Sequence, residues 1–440
     1  MHWGKHMLKR SLLALAIAGA LSTTAAAAAP SAAPSNEEMW RIIQEQQREI
    51  EALKQQLKTT DQRVHTTTQQ VEATSRQVEE TTRQVEATAE VVEKGGSEKL
   101  AKAAEWINNT SIGGYAELHY NNLNNKSAGA DKNEIDFHRF VLFVNHRFSD
   151  RTRFFSELEL EHSIAGEGKA GEIELEQAYI EHDLTATGSQ RMKAGLFLMP
   201  IGILNETHEP DTFYGVERNN VESAIVPSTW WEGGLAASGE IATGLSYDAA
   251  VTSGLGLATN RFKVRDGRQK VGSAKSDALA YTGRIKYTGI PGLELASSVQ
   301  YQDDLYQEEL VVAGTRRAVN AWLYEAHAAY QTKHFGLRAL YAQWDIDDDI
   351  EAISAGASQQ NGWYVEPSWR LNEQWGVFAR YSEWDNQAAG SADTGYEQFD
   401  YGVNFWLEPN VVFKLDIQDQ HAPDGQSELD GFNLGLGWSF

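Results

Sequence analysis

The sequence predicts an all-β transmembrane barrel of about sixteen antiparallel strands, preceded by an α-helical coiled coil. Three observations lead there. Residues 429–440 put Phe432, Leu434, Leu436, Trp438 and Phe440 on one face of an extended chain and Gly431, Asn433, Gly435, Gly437 and Ser439 on the other. Mean hydropathy is −0.47, and beyond residue 30 no stretch approaches the roughly 20 apolar residues of a membrane helix. Ahead of the alternating region, apolar residues recur at intervals of seven.

A barrel reconciles a membrane strand with low hydropathy. Only alternate residues of each strand meet lipid, and the closed sheet satisfies every backbone hydrogen bond without a helix. The 13 Trp, 16 Tyr and 16 Phe suit its interfacial girdles. The chain holds no cysteine, which excludes a disulfide framework, thiolate catalysis and a thiolate metal site.

The elements follow in order. From Met7, Lys9 and Arg10 supply a positive start, residues 12–21 an apolar stretch and residues 25–29 a small-residue cleavage region. Residues 1–29 are therefore predicted to be a signal peptide, and the apolar stretch is short for a retained anchor. Residues 30–38 form a Pro-containing linker. Over residues 39–94 Ile43, Ile50, Leu57, Val64, Val71, Val78, Val85 and Val92 occupy one heptad position, and Gln46, Leu53, Thr60, Thr67, Thr74, Thr81 and Thr88 sit three residues after them. Segments 70–76, 77–83 and 84–90 nearly repeat one heptad. Both seams are mostly β-branched, which favours more than two strands, and three in particular. At about 1.5 Å per residue such a periplasmic rod would reach roughly 80 Å. Gly95, Gly96 and Ser97 end it, and residues 95–110 are a linker with a short adaptor helix.

From residue 111 to 440 the chain reads as barrel. Strands are predicted at 111–121, 133–148, 152–163, 171–184, 190–200, 230–241, 245–254, 277–288, 293–303, 318–331, 335–345, 360–371, 374–386, 396–407, 411–420 and 429–440. Tight turns at 149–151, 242–244, 289–292, 332–334, 372–373 and 408–410 alternate with long polar loops such as 201–229, 255–276, 304–317 and 346–359. Short periplasmic turns with long external loops belong to outer-membrane barrels, and an even strand count leaves both barrel ends on the periplasmic side. Leu293, Leu295, Val299 and Tyr301 should face lipid, as should Val411, Phe413, Leu415 and Ile417. Glu157, Glu159 and Glu161 share a face that must be the lumen, because a charge near the lipid midplane costs about 2 to 4 kcal/mol for basic residues and somewhat less for acids. A wide lumen lined this way is expected to hold water rather than a packed core.

The connection at 200–232 is the longest, and it follows the fifth strand. It is the third external loop, and Asn205, Glu206, His208, Glu209, Phe213, Tyr214 and Arg218 are its candidate constriction residues. Four segments now stand out: Gly113-Gly114-Tyr115, His138-Arg139-Phe140, the run from Gly195-Leu196-Phe197 to Pro200-Ile201-Gly202, and Trp231-Glu232-Gly233-Gly234. On these, residues 111–440 resemble the phosphate-selective porin family, named for its O and P pores, and related trimeric porins with coiled coils. The aromatic carboxy terminus similarly resembles the strand by which outer-membrane barrels are recognised and inserted. The resemblance implies a sixteen-stranded trimeric pore with the third loop as its constriction, passing small hydrophilic solutes, anions such as phosphate among them.

Charge pulls the other way, with 48 acidic against 25 basic side chains over residues 111–440. A local ring of Arg or Lys can override a mean field. Its candidates are Arg139, Arg191, Lys193, Arg284, Lys286, Arg338, Arg380 and Lys414. The fourth external loop is separately basic, with Arg261, Lys263, Arg265, Arg268, Lys270 and Lys275, and could gather anions, bind lipopolysaccharide phosphates or be a mobile solvated loop. Glu161-His162-Ser163 has the residue types of a hydrolase, but strand neighbours point to opposite faces, so no enzyme is expected. The acidic run Asp345, Asp347, Asp348, Asp349 and Glu351 reads as a solvated loop, and no metal, cofactor or nucleic-acid site is expected. The expected partners are two further copies of the chain, outer-membrane lipid and lipopolysaccharide, a small solute, and peptidoglycan or another periplasmic component through the rod. Two other readings remain: a sugar-specific porin of maltoporin type, and a barrel-anchored periplasmic tether.

Overall fold

The computed structural model describes residues 36–93, 104–127 and 129–440. The predicted signal peptide, and parts of both linkers, lie outside the described residues. The chain divides into two compact units, Met1–Leu100 and Ala101–Phe440.

The described residues of the first unit form one helix, α1 (Asn36–Glu93), of 58 residues. Its seam positions stand open in the single chain: Ile50 is 50% exposed, Leu57 63%, Val64 58% and Val71 62%. Thr74 and Thr81, on the other seam, each donate Oγ to the carbonyl four residues back at 2.8 Å. The hydroxyls thus find partners on their own helix, and the methyl groups are left for packing.

The second unit is a closed antiparallel barrel of sixteen strands. They are β1 (Thr110–Asn125), β2 (Lys132–Arg147), β3 (Thr152–Glu161), β4 (Ile173–Asp183), β5 (Gln190–Leu198), β6 (Trp231–Ala242), β7 (Leu245–Thr252) and β8 (Ala280–Tyr287). The second half is β9 (Leu293–Gln302), β10 (Ala321–Gln331), β11 (Phe335–Ile346), β12 (Gln359–Arg370), β13 (Trp375–Asp385), β14 (Tyr396–Glu408), β15 (Val411–His421) and β16 (Leu429–Ser439). Each strand pairs with its chain neighbours, and β1 closes on β16 in a register that sets Tyr115 opposite Ser439. Phe440 completes the seam, exchanging backbone hydrogen bonds with Gly114 at 2.9 and 3.0 Å. A Cβ at Gly114 would lie 2.1 Å from the Val141 carbonyl oxygen and 3.0 Å from the Phe440 ring, so only glycine lets the closing residue approach.

Strand ends move by a few residues from the expected bounds. The largest change is in β1, which runs on to Asn125 rather than 121, and β3 stops at Glu161 rather than 163. His162 and Ser163 turn the chain with φ of 52° and 56°, and His162 Nδ1 lies 2.9 Å from the Asp136 carboxylate. The acidic run at 345–351 is a capped turn. Asp347 accepts the Asp349 N–H at 3.0 Å and Glu351 the Ser358 N–H at 2.8 Å.

Alternation along the strands is as expected. In β15 Phe413, Leu415 and Ile417 are exposed, whereas Lys414 and Asp416 are buried in the lumen. The expectation of an uncored lumen is corrected. The third loop (199–230), fourth loop (253–279) and fifth loop (303–320) fold inward and pack Ile201, Ile225, Val226, Trp230, Leu255, Leu257, Val264, Leu305 and Tyr306 into one apolar cluster. That cluster rests on inward-facing Leu323, Leu340, Trp344, Tyr364 and Trp384 of β10 to β13. Alternation fails to reveal it because inward apolar residues occur here on strands with apolar outer faces too.

Candidate functional site

The third loop is pinned at its neck and then carried across the lumen. Asn205, fully buried, donates Nδ2 to the carbonyls of Met199 at 2.8 Å and Trp230 at 3.0 Å, and accepts the Trp230 N–H at 2.7 Å. Glu222 folds the returning limb, accepting N–H groups of Ile203 at 2.7 Å and Leu204 at 2.6 Å and the Tyr364 hydroxyl at 2.7 Å. Burial pushes its carboxyl above the usual range.

From the neck the loop touches walls far apart in sequence. Glu206 pairs with Arg284, which also bonds Asp248 at 2.7 Å. Arg338 donates to the Thr212 carbonyl at 2.7 Å, and the Val216 N–H reaches Asp416 at 2.5 Å. The Glu217 carboxylate receives Asn121 at 3.0 Å and lies 3.3 Å from His119. Burial opposes its charge, but His119 and Lys132 hold it well below the ordinary range.

Two cavities lie among lumen side chains of the described residues. One, of about 350 Å³, lies toward the long loops and is lined by Glu117, His119, Lys132, His138, Arg139, Glu161, Glu174, Glu217, Arg218, Arg265, Arg268 and Lys270, with Phe213 and Val216 at its floor. The other, of about 730 Å³, lies toward the short turns, among Thr212, Phe213, Tyr214, Arg338, Glu366, Arg370 and Trp406. The Phe213 ring lines both. The Lys414 ammonium sits 3.6 Å over that ring, buried and without a hydrogen-bond partner. Phe213 and Lys414 are the candidate constriction.

The eight candidate basic residues do not form one ring. Arg139, beside Glu117 at 3.2 Å and Glu159 at 3.6 Å, enters the long-loop cavity, and Arg338 the short-turn cavity. Lys414 stands between them. Arg380 is locked between Glu366 at 3.2 Å and Asp400 at 2.9 Å. Arg284 braces Glu206, Lys286 lies 3.8 Å from Glu294, Arg191 lies 3.4 Å from Asp183, and Lys193 covers the Tyr179 and Phe197 rings.

The basic fourth loop also divides. Arg265 donates to the carbonyls of Ser223 at 2.7 Å and Ser228 at 2.8 Å, Arg268 to that of Thr229 at 2.6 Å, and Lys270 pairs with Glu172 and Glu174. Those three line the long-loop cavity, whereas Arg261 and Lys263 are exposed outside it and Lys275 pairs with Glu309. Burial and the neighbouring Arg268 push Arg265 down to about 9, and burial with Arg139 lowers Arg218. Positive charge is therefore concentrated here. Sequence reading missed Glu117, His119, Lys132 and Arg370, whose only signal is their inward parity on the strands.

Fold and site together define a porin-like barrel with a loop-narrowed lumen. No family model matches the chain. An uncharacterized protein of Aquifex aeolicus (strain VF5) is 28% identical over 363 residues, spanning 75% of this chain and 80% of that one. Among solved structures, an anion-selective porin from Comamonas acidovorans superposes with a TM-score of 0.51 at 14% identity, covering 75% of this chain and 99% of its own. OprB of Pseudomonas putida gives 0.52 at 11% identity, covering 79% and 97%. OmpF of Salmonella typhi, in complex with daunomycin, gives 0.52 at 12%, covering 75% and 97%. At these identities the likeness concerns the fold.

Proposed function

We propose that the protein is an outer-membrane porin through which small hydrophilic solutes diffuse passively, with a preference for anions such as phosphate. The observation that carries this reading is the pair of lumen cavities that share Phe213 as a lining residue. The upper one is lined by six basic side chains, Lys132, Arg139, Arg218, Arg265, Arg268 and Lys270, against four acidic ones, Glu117, Glu161, Glu174 and Glu217. A local excess of positive charge in a narrow, low-dielectric passage outweighs the net acidity of a distant surface for an ion already inside it. The long loops then face outward and the short turns face the periplasm.

Assembly as a homotrimer is part of the proposal, supported by the open apolar seams of α1, which need partner helices. On this reading the rod stands in the periplasm, reaching toward peptidoglycan or another component there, and lipopolysaccharide surrounds the external loops.

The reversal potential across a planar bilayer under a KCl gradient tests the reading. Anion selectivity with reduction of the chloride current by phosphate is expected. Cation selectivity without phosphate block would remove the anion preference, and a barrel that inserts but carries no current would remove the porin reading.

A further inference from the structure

The third loop meets the barrel wall at a group of side chains that the permeation pathway does not use. His208, 3% exposed, points its Nε2 between the carboxylates of Glu157 and Glu176, which are 1% and 0% exposed on β3 and β4. Nε2 lies 3.4 Å from Glu157 Oε1 and 3.6 Å from Glu176 Oε2, and the three ligand atoms lie within 4.8 Å of one another.

Hydrogen bonds do not account for this arrangement. His208 Nε2, Glu157 Oε1 and both Glu176 oxygens are buried without a hydrogen-bond partner. Carboxylates crowd the group: Glu157 and Glu176 share His208, Gln177 donates at 2.6 Å to Glu157 Oε2, Glu159 stands beside Glu176, and Arg139 lies 3.2 Å from Glu117 and 3.6 Å from Glu159, with Arg218 also near. Unpaired buried carboxylates are costly.

The same geometry suits a metal ion. His208 Nδ1 lies 3.1 Å from the Asn205 carbonyl, and donating its proton there fixes the tautomer that leaves Nε2 as a lone-pair ligand. Gln177 similarly orients Glu157 from outside. Ligand atoms about 2.0–2.1 Å from a tetrahedral ion lie about 3.4 Å apart, close to the 3.4 and 3.6 Å from His208 Nε2 to the two carboxylates. One imidazole and two carboxylates select a zinc-class divalent ion over magnesium or calcium, which take oxygen ligands. The group of Asp136, His138 and His162 differs, because Asp136 already bonds both imidazoles, at 3.2 and 2.9 Å, and needs nothing further.

We propose that Glu157, Glu176 and His208 form a binding site for one zinc-class divalent cation, which fastens the third loop to the barrel wall. The fourth position is open to water. The site is independent of which solute the pore carries.

The test uses the full chain, folded in detergent and stripped with a chelator. Zn²⁺ titrated calorimetrically should bind at one ion per chain, with excess Mg²⁺ unable to displace it. Anomalous diffraction at the zinc edge should place the ion between His208 Nε2 and the two carboxylates. His208→Ala and Glu176→Gln should each weaken binding at least tenfold, and Asp136→Asn should leave it unchanged. Absence of stoichiometric uptake by the wild type, an anomalous peak elsewhere, or unchanged affinity in both site variants would overturn the proposal. If a variant does not fold, the anomalous peak in the wild type decides alone.

Discussion

Arg380 shows what a single inward side chain does in this lumen. It is 3% exposed and holds Glu366 and Asp400 together, so its removal strands two buried carboxylates. Arg380→Met is expected to destabilise the barrel by about 3–5 kcal/mol, read from urea unfolding in detergent. A loss below about 1 kcal/mol would mean that water already screens the pair. Glu206 carries a pH dependence. Partial burial raises its carboxyl, but Arg284 outweighs it and holds it below the usual range. A depressed folded-state pKa stabilises fully above the unfolded value of about 4.3 and is lost as pH falls through the folded one. The wild-type barrel should therefore lose more stability than Glu206→Gln when acidified below about 4, and parallel acid limbs would contradict the pairing. Inward parity is consistent with the burial of the candidates Arg139, Arg380 and Lys414, but the equally buried Glu117, Glu176, Glu366 and Asp400 went unnamed. It could not pair them, because Arg380 meets Glu366 and Asp400 through strand register and Lys414 meets Phe213 through a loop.

Strands and helix were more legible than loops. A period of two marks each strand and a period of seven marks α1, and both are local properties of the chain. The third loop has no period. Its course depends on contacts such as Val216 with Asp416, two hundred residues apart in sequence, and Asn205 with Trp230 at the neck. For that reason its constriction residues could be named but not arranged. Phe213 ended in the gap, His208 at the wall and Glu206 against Arg284. Helix α1 carries its own expectation. An isolated peptide of residues 36–93 should sediment as a trimer, and deleting residues 37–94 should leave single-channel conductance unchanged. A monomeric peptide would leave the open seams unexplained. Loss of envelope integrity with normal conductance would favour the tether reading.

The barrel as built divides its lumen. One side is filled by apolar residues from the third, fourth and fifth loops against β10 to β13, and two cavities lie beside charged walls. Filling one side lends the inward loops a rigid footing, since a packed apolar cluster resists deformation. It also narrows the passage to the neighbourhood of one ring. Net charge hides this, because 48 acidic and 25 basic side chains over residues 111–440 are spread over every surface, whereas the upper cavity alone gathers six basic groups. The absence of cysteine from the chain makes the passage directly testable. A single Phe213→Cys substitution, studied in a planar bilayer, would be exposed to a charged membrane-impermeant thiol reagent from each side in turn. Conductance should fall after addition from either side, since Phe213 borders both cavities. An open channel whose current is unaffected from both sides would place the permeation route elsewhere.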